Sequence, residues 1–181
     1  MGGDGFAVSN ERVLISGAGI AGPSVAFWLA RHGFRSTVVE RAARPREGGN
    51  GVDVRGQAIE VAERMGILPR IRAAAADVAG MSFVDAAGRR VARIDLQAIQ
   101  RKRESGEVEI MRGDLAAILH DVTKDDVEYV FGDAIRDLEQ DPGGVTVSFE
   151  SGAVRRFDLV IGADGMHSSV RQLAFGPAAT F

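Results

Sequence analysis

The chain has 181 residues, 22 basic and 25 acidic side chains and an apolar share of 45%, which excludes disordered and collagen-like classes and suits one large or two small domains. A formal net charge of -3 provides no global field toward nucleic acid or anionic lipid. With no cysteine, disulfides, thiolate zinc sites and thiol nucleophiles are all excluded, and the cytoplasm is the expected compartment.

Residues 1–11 read as a flexible Gly-rich start, 12–175 as one folded domain and 176–181 as a tail. Arg12-Val13-Leu14-Ile15-Ser16 is a short apolar run bounded by Gly17, the pattern of a strand buried on both faces. From Ala21 to His32 the residues Val25, Ala26, Phe27, Leu29 and Ala30 fall at helical spacing, with Trp28 read as core and Gly33 where a capping glycine belongs. Ser36-Thr37-Val38-Val39-Glu40 is β-branched and strand-like. Strand, Gly-rich turn, helix and strand make a βαβ unit, whose right-handed crossover sets the two strands parallel.

A polar loop from Arg41 to Gly51 leads to an extended Val52-Asp53-Val54-Arg55, a helix from Gln57 to Met65 ended by Gly66, and a further helix over Pro69 to Ala76. Met81 to Ile94 reads as two strands about a turn at Gly88. Arg101 to Glu107 reads as an exposed, solvated loop, and Leu115, Ile118, Leu119 and Val122 predict an amphipathic helix. Alternating runs at Val127-Tyr129-Phe131, Ala134 to Gln140, Val145-Val147-Phe149 and Val154 to Phe157 predict a β-meander. Asp158-Leu159-Val160-Ile161-Gly162 is a second buried-strand pattern, followed by Ala163-Asp164-Gly165. No apolar run approaches the ~18 residues of a membrane helix, and Met1-Gly2-Gly3-Asp4-Gly5 lacks the regions of a signal peptide.

Gly17-Ala18-Gly19-Ile20-Ala21-Gly22 satisfies G-x-G-x-x-G between a strand and a helix, the context that the dinucleotide fingerprint requires. Gly17 would make the tight turn, Gly19 would admit a pyrophosphate against the backbone, and Gly22 would let the helix lie close to the strand. Ile20 and Ala21 open the helix, whose unpaired N–H groups would meet the phosphates. Glu40 ends the second strand 18 residues after Gly22, where an acidic side chain accepts from ribose hydroxyls. The fingerprint alone does not separate FAD from NAD.

Asp158 to Arg171 contains D-G-x-x-S-x-x-R at Asp164, Gly165, Ser168 and Arg171, and Glu109 to Leu115 places Arg112 before a helix. With the fingerprint, these segments resemble the FAD-dependent aromatic hydroxylases, flavoprotein monooxygenases that include a tetracycline-degrading branch. The resemblance runs from Val13 to about Phe175. It implies an α/β, Rossmann-like FAD-binding domain with a parallel sheet, crossover helices and a β-meander. It carries Asp164 and Gly165 to the pyrophosphate and Arg112 to the polar spine of FAD, where a guanidinium fork suits phosphate and ribityl oxygens. The loop Arg46-Glu47-Gly48-Gly49-Asn50-Gly51-Val52-Asp53 resembles the tetracycline-degrading branch, which links Arg46 to NADPH and Asp53 to FAD. Arg41 could contact the adenosine or simply face solvent, Asp114 could be only a helix N-cap, and Ser168 an N-cap as well.

In that family NAD(P)H reduces FAD, dioxygen adds to give a C4a-hydroperoxyflavin, and one oxygen passes to an electron-rich substrate, here expected to be aromatic or polyketide-like. The cofactor carries such chemistry, so no catalytic acid or base is named. His32, His120 and His167 lack metal-ligand spacing. The family continues into a substrate-covering sheet and a second Gly-Asp element. Gly132-Asp133-Ala134 is rejected as that element because it precedes Asp164-Gly165 and leads into a strand pattern. The chain is thus expected to carry the first half of an FAD site, with self-association or a partner chain completing it. A non-catalytic nucleotide-binding or interaction module and an NAD-dependent Rossmann oxidoreductase remain as alternatives.

Overall fold

The computed structural model describes residues 11–45, 47–76, 80–95 and 106–177. The elements are β1 Arg12–Ser16, α1 Ala21–Arg31, β2 Arg35–Glu40, β3 Gly51–Val54, α2 Gln57–Arg64, α3 Leu68–Ala73, β4 Gly80–Val84, β5 Arg90–Asp95, β6 Val108–Met111 and α4 Arg112–Asp121. They continue as β7 Glu128–Phe131, β8 Ile135–Asp141, β9 Gly144–Phe149, β10 Val154–Phe157, β11 Leu159–Gly162 and α5 Ser169–Phe175. Two compact units result, one of Met1–Gly48 with Leu115–Phe181 and the other of Gly49–Asp114. The expected loop at Arg101 to Glu107 falls largely outside the described residues.

In the first unit, β11, β1, β2 and β7 form a parallel sheet in that order. The apolar run of β1 is continuous because alternate residues enter different cores. Val13 and Ile15 pack with Ala26 of α1, Val38 and Val127 on one face. Leu14 and Val39 pack with Ile135, Val147, Phe149 and Phe157 on the other. Those four belong to or border β8, β9 and β10, an antiparallel meander that covers the face α1 does not. Burying each such side chain stabilises the fold by roughly 1.5–3 kcal/mol.

Helix α1 ends in a Schellman motif: Gly33 (φ 84°) donates to the Ala30 carbonyl and Phe34 N–H to that of Leu29. Phe34 and Leu29 both join the α1-side core, which sets the angle at which the chain enters β2. Trp28, expected in the core, is half-buried and meets Phe27 edge-on at 5.2 Å.

One predicted strand has a different partner. The run Val127-Tyr129-Phe131 was expected in the meander, but β7 pairs in parallel with β2, Thr37 opposite Glu128 and Glu40 opposite Phe131. Tyr129 packs on the α1-side core and Val130 on the meander side, so the segment has two covered faces, as an inner-layer strand needs. Sequence adjacency to β8 suggested the meander; packing on both faces decided the sheet.

In the second unit β3 and β6 pair antiparallel, and β4 and β5 form a hairpin. Helix α3, expected over Pro69 to Ala76, spans Leu68–Ala73 and packs against α2 and β6. Ala62, Met65, Ile67, Leu68, Ile71, Val108 and Ile110 are buried there. The hairpin turn is closed by Asp85, whose carboxylate accepts from the Ala87 and Arg89 backbone and from the Arg89 guanidinium.

Candidate functional site

The carboxyl ends of β11, β1 and β2 meet around Gly17. Its N–H donates to the Val39 carbonyl at 2.8 Å, and Ala163 N–H donates to the Ser16 carbonyl at 2.8 Å. Gly17 has φ 106°, and a Cβ there would lie 2.6 Å from the Ala163 oxygen, so both conformation and space demand glycine. A Cβ on Gly22 would run into the Gly17 carbonyl oxygen and lie 3.4 Å from Ile15 Cγ2; this glycine brings α1 against β1. At Gly19 a Cβ would meet nothing within 4 Å among the described residues. Two glycines therefore serve protein packing, while the third faces open space.

That open side lies at the start of α1. Its N-cap is Ile20, which makes no side-chain capping bond, and its first turn contains no acidic residue. Among the described residues no side chain caps the leading N–H groups, and no acidic residue of the first turn offsets the positive end of the helix dipole, which favours a bound anion. Ala21 begins the helix and is exposed.

Glu40 is half-buried at the end of β2. One carboxylate oxygen accepts from Ala18 N–H at 2.9 Å and the other from Ala42 N–H at 3.0 Å. Each oxygen retains a second acceptor position, so the group is both oriented against the glycine loop and able to accept from a ligand. Arg41 is exposed, its guanidinium 3.9 Å from the Glu150 carboxylate, an ion pair of little energetic weight at such exposure.

Asp164 follows β11 and caps α5. Its Oδ2 accepts from Ser169 N–H at 2.8 Å, Ser169 Oγ at 3.1 Å and Val170 N–H at 3.2 Å. Its Oδ1 is buried and has no hydrogen-bond partner among the described residues. Burial opposes the charge, but hydrogen bonds from the Ser168 and Ser169 side chains and the Val170 backbone outweigh it and hold the carboxyl below its ordinary range. Ser168 accepts from Arg171 N–H at 3.0 Å, the N-cap its spacing allowed, and the Arg171 guanidinium donates to the Met166 carbonyl at 3.0 Å. Gly165 is exposed with φ 81°.

Gly17, Gly19, Ile20, Ala21, Gly22, Glu40, Asp164 and Gly165 are thus gathered at one end of the parallel sheet. Asp53 and Arg112 belong to the second unit. There Asp53 is exposed on β3 opposite Glu109, and Arg112 is the exposed first residue of α4, its N–H donating to the Asn50 carbonyl at 3.0 Å. The Arg112 Cβ lies 3.7 Å from where a Gly49 Cβ would stand, so the glycine loop and this Arg are neighbours. Asp114 is inside the first turn of α4 rather than at its cap, still placed to favour the helix's positive end. Arg46 lies outside the described residues. Asp133, passed over in sequence, is buried beside Glu40's strand end. Its only sequence signal is a Gly-Asp pair directly after a strand run.

A parallel sheet with a glycine turn, an uncapped helix start and an acidic residue ending the second strand defines a dinucleotide-binding α/β protein. The open face at Gly19, the free N–H groups of α1 and the unfilled acceptor positions of Glu40 fit such a cofactor. More particularly, the chain belongs to the family described as FAD binding domain, whose model matches residues 10–176. It is 45% identical over 173 residues to an uncharacterized protein of Mycobacterium tuberculosis strain H37Rv, covering 94% of this chain and 46% of that one. With a flavin-dependent monooxygenase of Legionella longbeachae it shares 41% identity over 166 residues, covering 92% and 42%. The crystal structure of the tetracycline destructase Tet(51) matches with a TM-score of 0.80 at 40% identity, again over 92% and 42%. The flavin-dependent monooxygenase PieE, solved with FAD and substrate, matches with a TM-score of 0.71 at 27% identity, over 92% and 32%. The chain spans less than half the length of these relatives. The resemblance read from the three sequence elements and the α/β fold it implied both hold.

Proposed function

We propose that the chain is the FAD-binding portion of an NAD(P)H-dependent flavoprotein monooxygenase that hydroxylates an aromatic or polyketide-like small molecule. The observation that carries this reading is the uncapped start of α1 beneath the open face of Gly19, with Glu40 oriented onto the same loop. Relatives named as flavin-dependent monooxygenases support the reaction class. In this reading the N–H groups of the Gly17–Gly22 turn and of α1's first turn hold the pyrophosphate, and Glu40 accepts from the adenosine ribose. Asp164 and Gly165 border the pyrophosphate, while Asp53 and Arg112 are FAD ligands and Arg46 serves NADPH. Arg41 flanks the adenosine. Bound FAD supplies electron transfer from the nicotinamide and the activation of dioxygen; the protein's residues bind, orient and exclude water.

Fluorescence titration of the purified chain with FAD tests the site directly. Saturable binding that weakens in Glu40→Ala and Arg112→Ala is expected, by about 1.5–3 kcal/mol for the lost charge-assisted bond of Arg112. Unchanged affinity in both variants overturns the assignment. Oxygen consumption with NADH or NADPH and a phenolic substrate tests the reaction.

A partner reading rests on the β4–β5 hairpin, whose register sets Met81 opposite Ile94 and Phe83 opposite Ala92. Met81, Phe83 and Ile94 are 50%, 46% and 41% exposed, an apolar face that favours association with a further chain or a second copy. Light scattering that finds only monomer across concentration would remove the second copy.

A further inference from the structure

The segment Gly132-Asp133-Ala134 joins β7 to β8, and Asp133 is only 9% exposed. A buried carboxylate is costly unless its oxygens are satisfied, and this one is. Oδ1 accepts from Ala134 N–H at 2.9 Å and from Ser151 N–H at 3.0 Å, while Oδ2 accepts from Ser151 Oγ at 2.6 Å. Glu150 N–H donates to the Ala134 carbonyl at 2.9 Å. The carboxylate thereby fastens the β7–β8 link to the turn between β9 and β10.

The other side of the same segment grips Glu40. Gly132 N–H donates to the Glu40 carbonyl at 2.9 Å and to the Ala42 carbonyl at 3.0 Å, and Asp133 N–H donates to the Glu40 carbonyl at 3.3 Å. Ala42 N–H and Ala18 N–H then donate to the two oxygens of the Glu40 carboxylate. A continuous path of hydrogen bonds runs from Ser151 through Asp133 to Glu40 and on to the glycine loop. Asp133 and Glu40 lie beside Ile135 and Val39, which belong to the buried core, so this path adds directional hydrogen bonds to a strand end whose backbone the hydrophobic packing already anchors.

We propose that Asp133 is a positioning residue that holds the Glu40 carboxylate in register for the adenosine ribose of the bound dinucleotide. The proposal rests on the FAD-site reading above. Without the Asp133 carboxylate, Ala134 N–H and Ser151 N–H lose their acceptor, the 132–134 segment is released, and the donors that fix the Glu40 carbonyl move with it. The sensitive quantity is the contribution of a ribose hydroxyl, because a hydrogen bond weakens steeply with distance and angle.

Calorimetric titration of the chain with FAD, ADP and 2′-deoxy-ADP, beside thermal unfolding, provides the test. Wild-type protein is expected to bind ADP about tenfold more tightly than 2′-deoxy-ADP, the loss of one good hydrogen bond to a charged acceptor. In Asp133→Ala the ratio should collapse toward one, whereas Asp133→Asn, which keeps the Oδ1 acceptor, should retain most of it. A purely structural role would lower Tm and both affinities while leaving the ratio intact, and that result overturns the proposal. If Asp133→Ala does not fold, Ser151→Ala takes its place, with a partial fall of the ratio expected and an unchanged ratio overturning the idea. Wild-type protein that binds no FAD would overturn the site reading itself and this inference with it. FAD binding with an unchanged ratio in the variants overturns this inference alone.

Discussion

Gly22 shows how much a single atom decides. Its missing Cβ is the space occupied by the Gly17 carbonyl, so Gly22→Ala must push α1 off β1 or distort the glycine turn. FAD affinity is expected to fall at least tenfold in that variant, about 1.4 kcal/mol or more, as read by fluorescence titration. Gly19→Ala meets no atom of the described residues within 4 Å and should leave Tm nearly unchanged while still weakening FAD binding, because the new methyl occupies the ligand's side. The pair separates packing from cofactor approach. At Asp164 the charge itself is measurable. Its carboxyl is held below the ordinary value of 3.8 in the folded protein. Its stabilising contribution is therefore complete above the unfolded value and is lost as pH falls through the folded one. Thermal unfolding between pH 7 and pH 3 should show a shallower acid decline in Asp164→Asn than in wild type. Parallel curves would refute the assignment. The fingerprint glycines and Glu40 were legible in sequence because their spacing is local. The bonds of Asp164 are local too, reaching Ser169 and Val170 in the helix that follows, whereas the burial of Asp133 was not legible, since it depends on Ser151 brought in from the turn between two other strands.

Among the elements, β7 is the instructive case. Alternation of Val127, Tyr129 and Phe131 announced a strand but left its partner open, and tertiary packing placed it beside β2. A polar cluster pins it there. Glu128 accepts from both terminal nitrogens of Arg155 at 3.1 and 2.7 Å and from Thr37 Oγ1 at 2.7 Å, joining β2, β7 and β10. The Arg155 guanidinium is the chief reason that the Glu128 carboxyl is held below its usual range, with Thr37 adding to it against a desolvation cost. The group is half open to water, so Glu128→Gln should cost no more than about 1 kcal/mol of stability, read as a small drop in urea midpoint. That cost should shrink as pH falls below the ordinary carboxyl value of 4.5 and through the lowered folded one, where the wild-type carboxylate also loses its charge. Gly33 at the end of α1 is a firmer constraint, because φ 84° strains any residue with a Cβ. Gly33→Ala should destabilise by about 1 kcal/mol.

For the whole molecule, the two faces of the parallel sheet share the same strands, so damage to one core reaches the cradle. Leu14 is fully buried between β1 and the meander, three residues before Gly17. Leu14→Ala should cost about 2–5 kcal/mol through the cavity left behind. Saturating FAD should recover part of that loss, raising stability by about 2.7 kcal/mol at a hundred times Kd. A Tm of the variant that FAD leaves unmoved would contradict the placement of the cofactor over this sheet end. Sequence by itself determined what depends on near neighbours: the βαβ unit, the glycine turn, the acidic strand end and the Asp-Gly capping element. Those follow from dihedral preference, side-chain period and short-range hydrogen bonding. Only the tertiary structure decided that β7 leaves the meander for the sheet. While it bore out the separate roles expected of Gly19 and Gly22, it also revealed that a buried Asp133 ties one loop to another. These depend on which segments share a hydrogen bond or a covered face, and residues far apart in the chain carry no period that announces such a meeting.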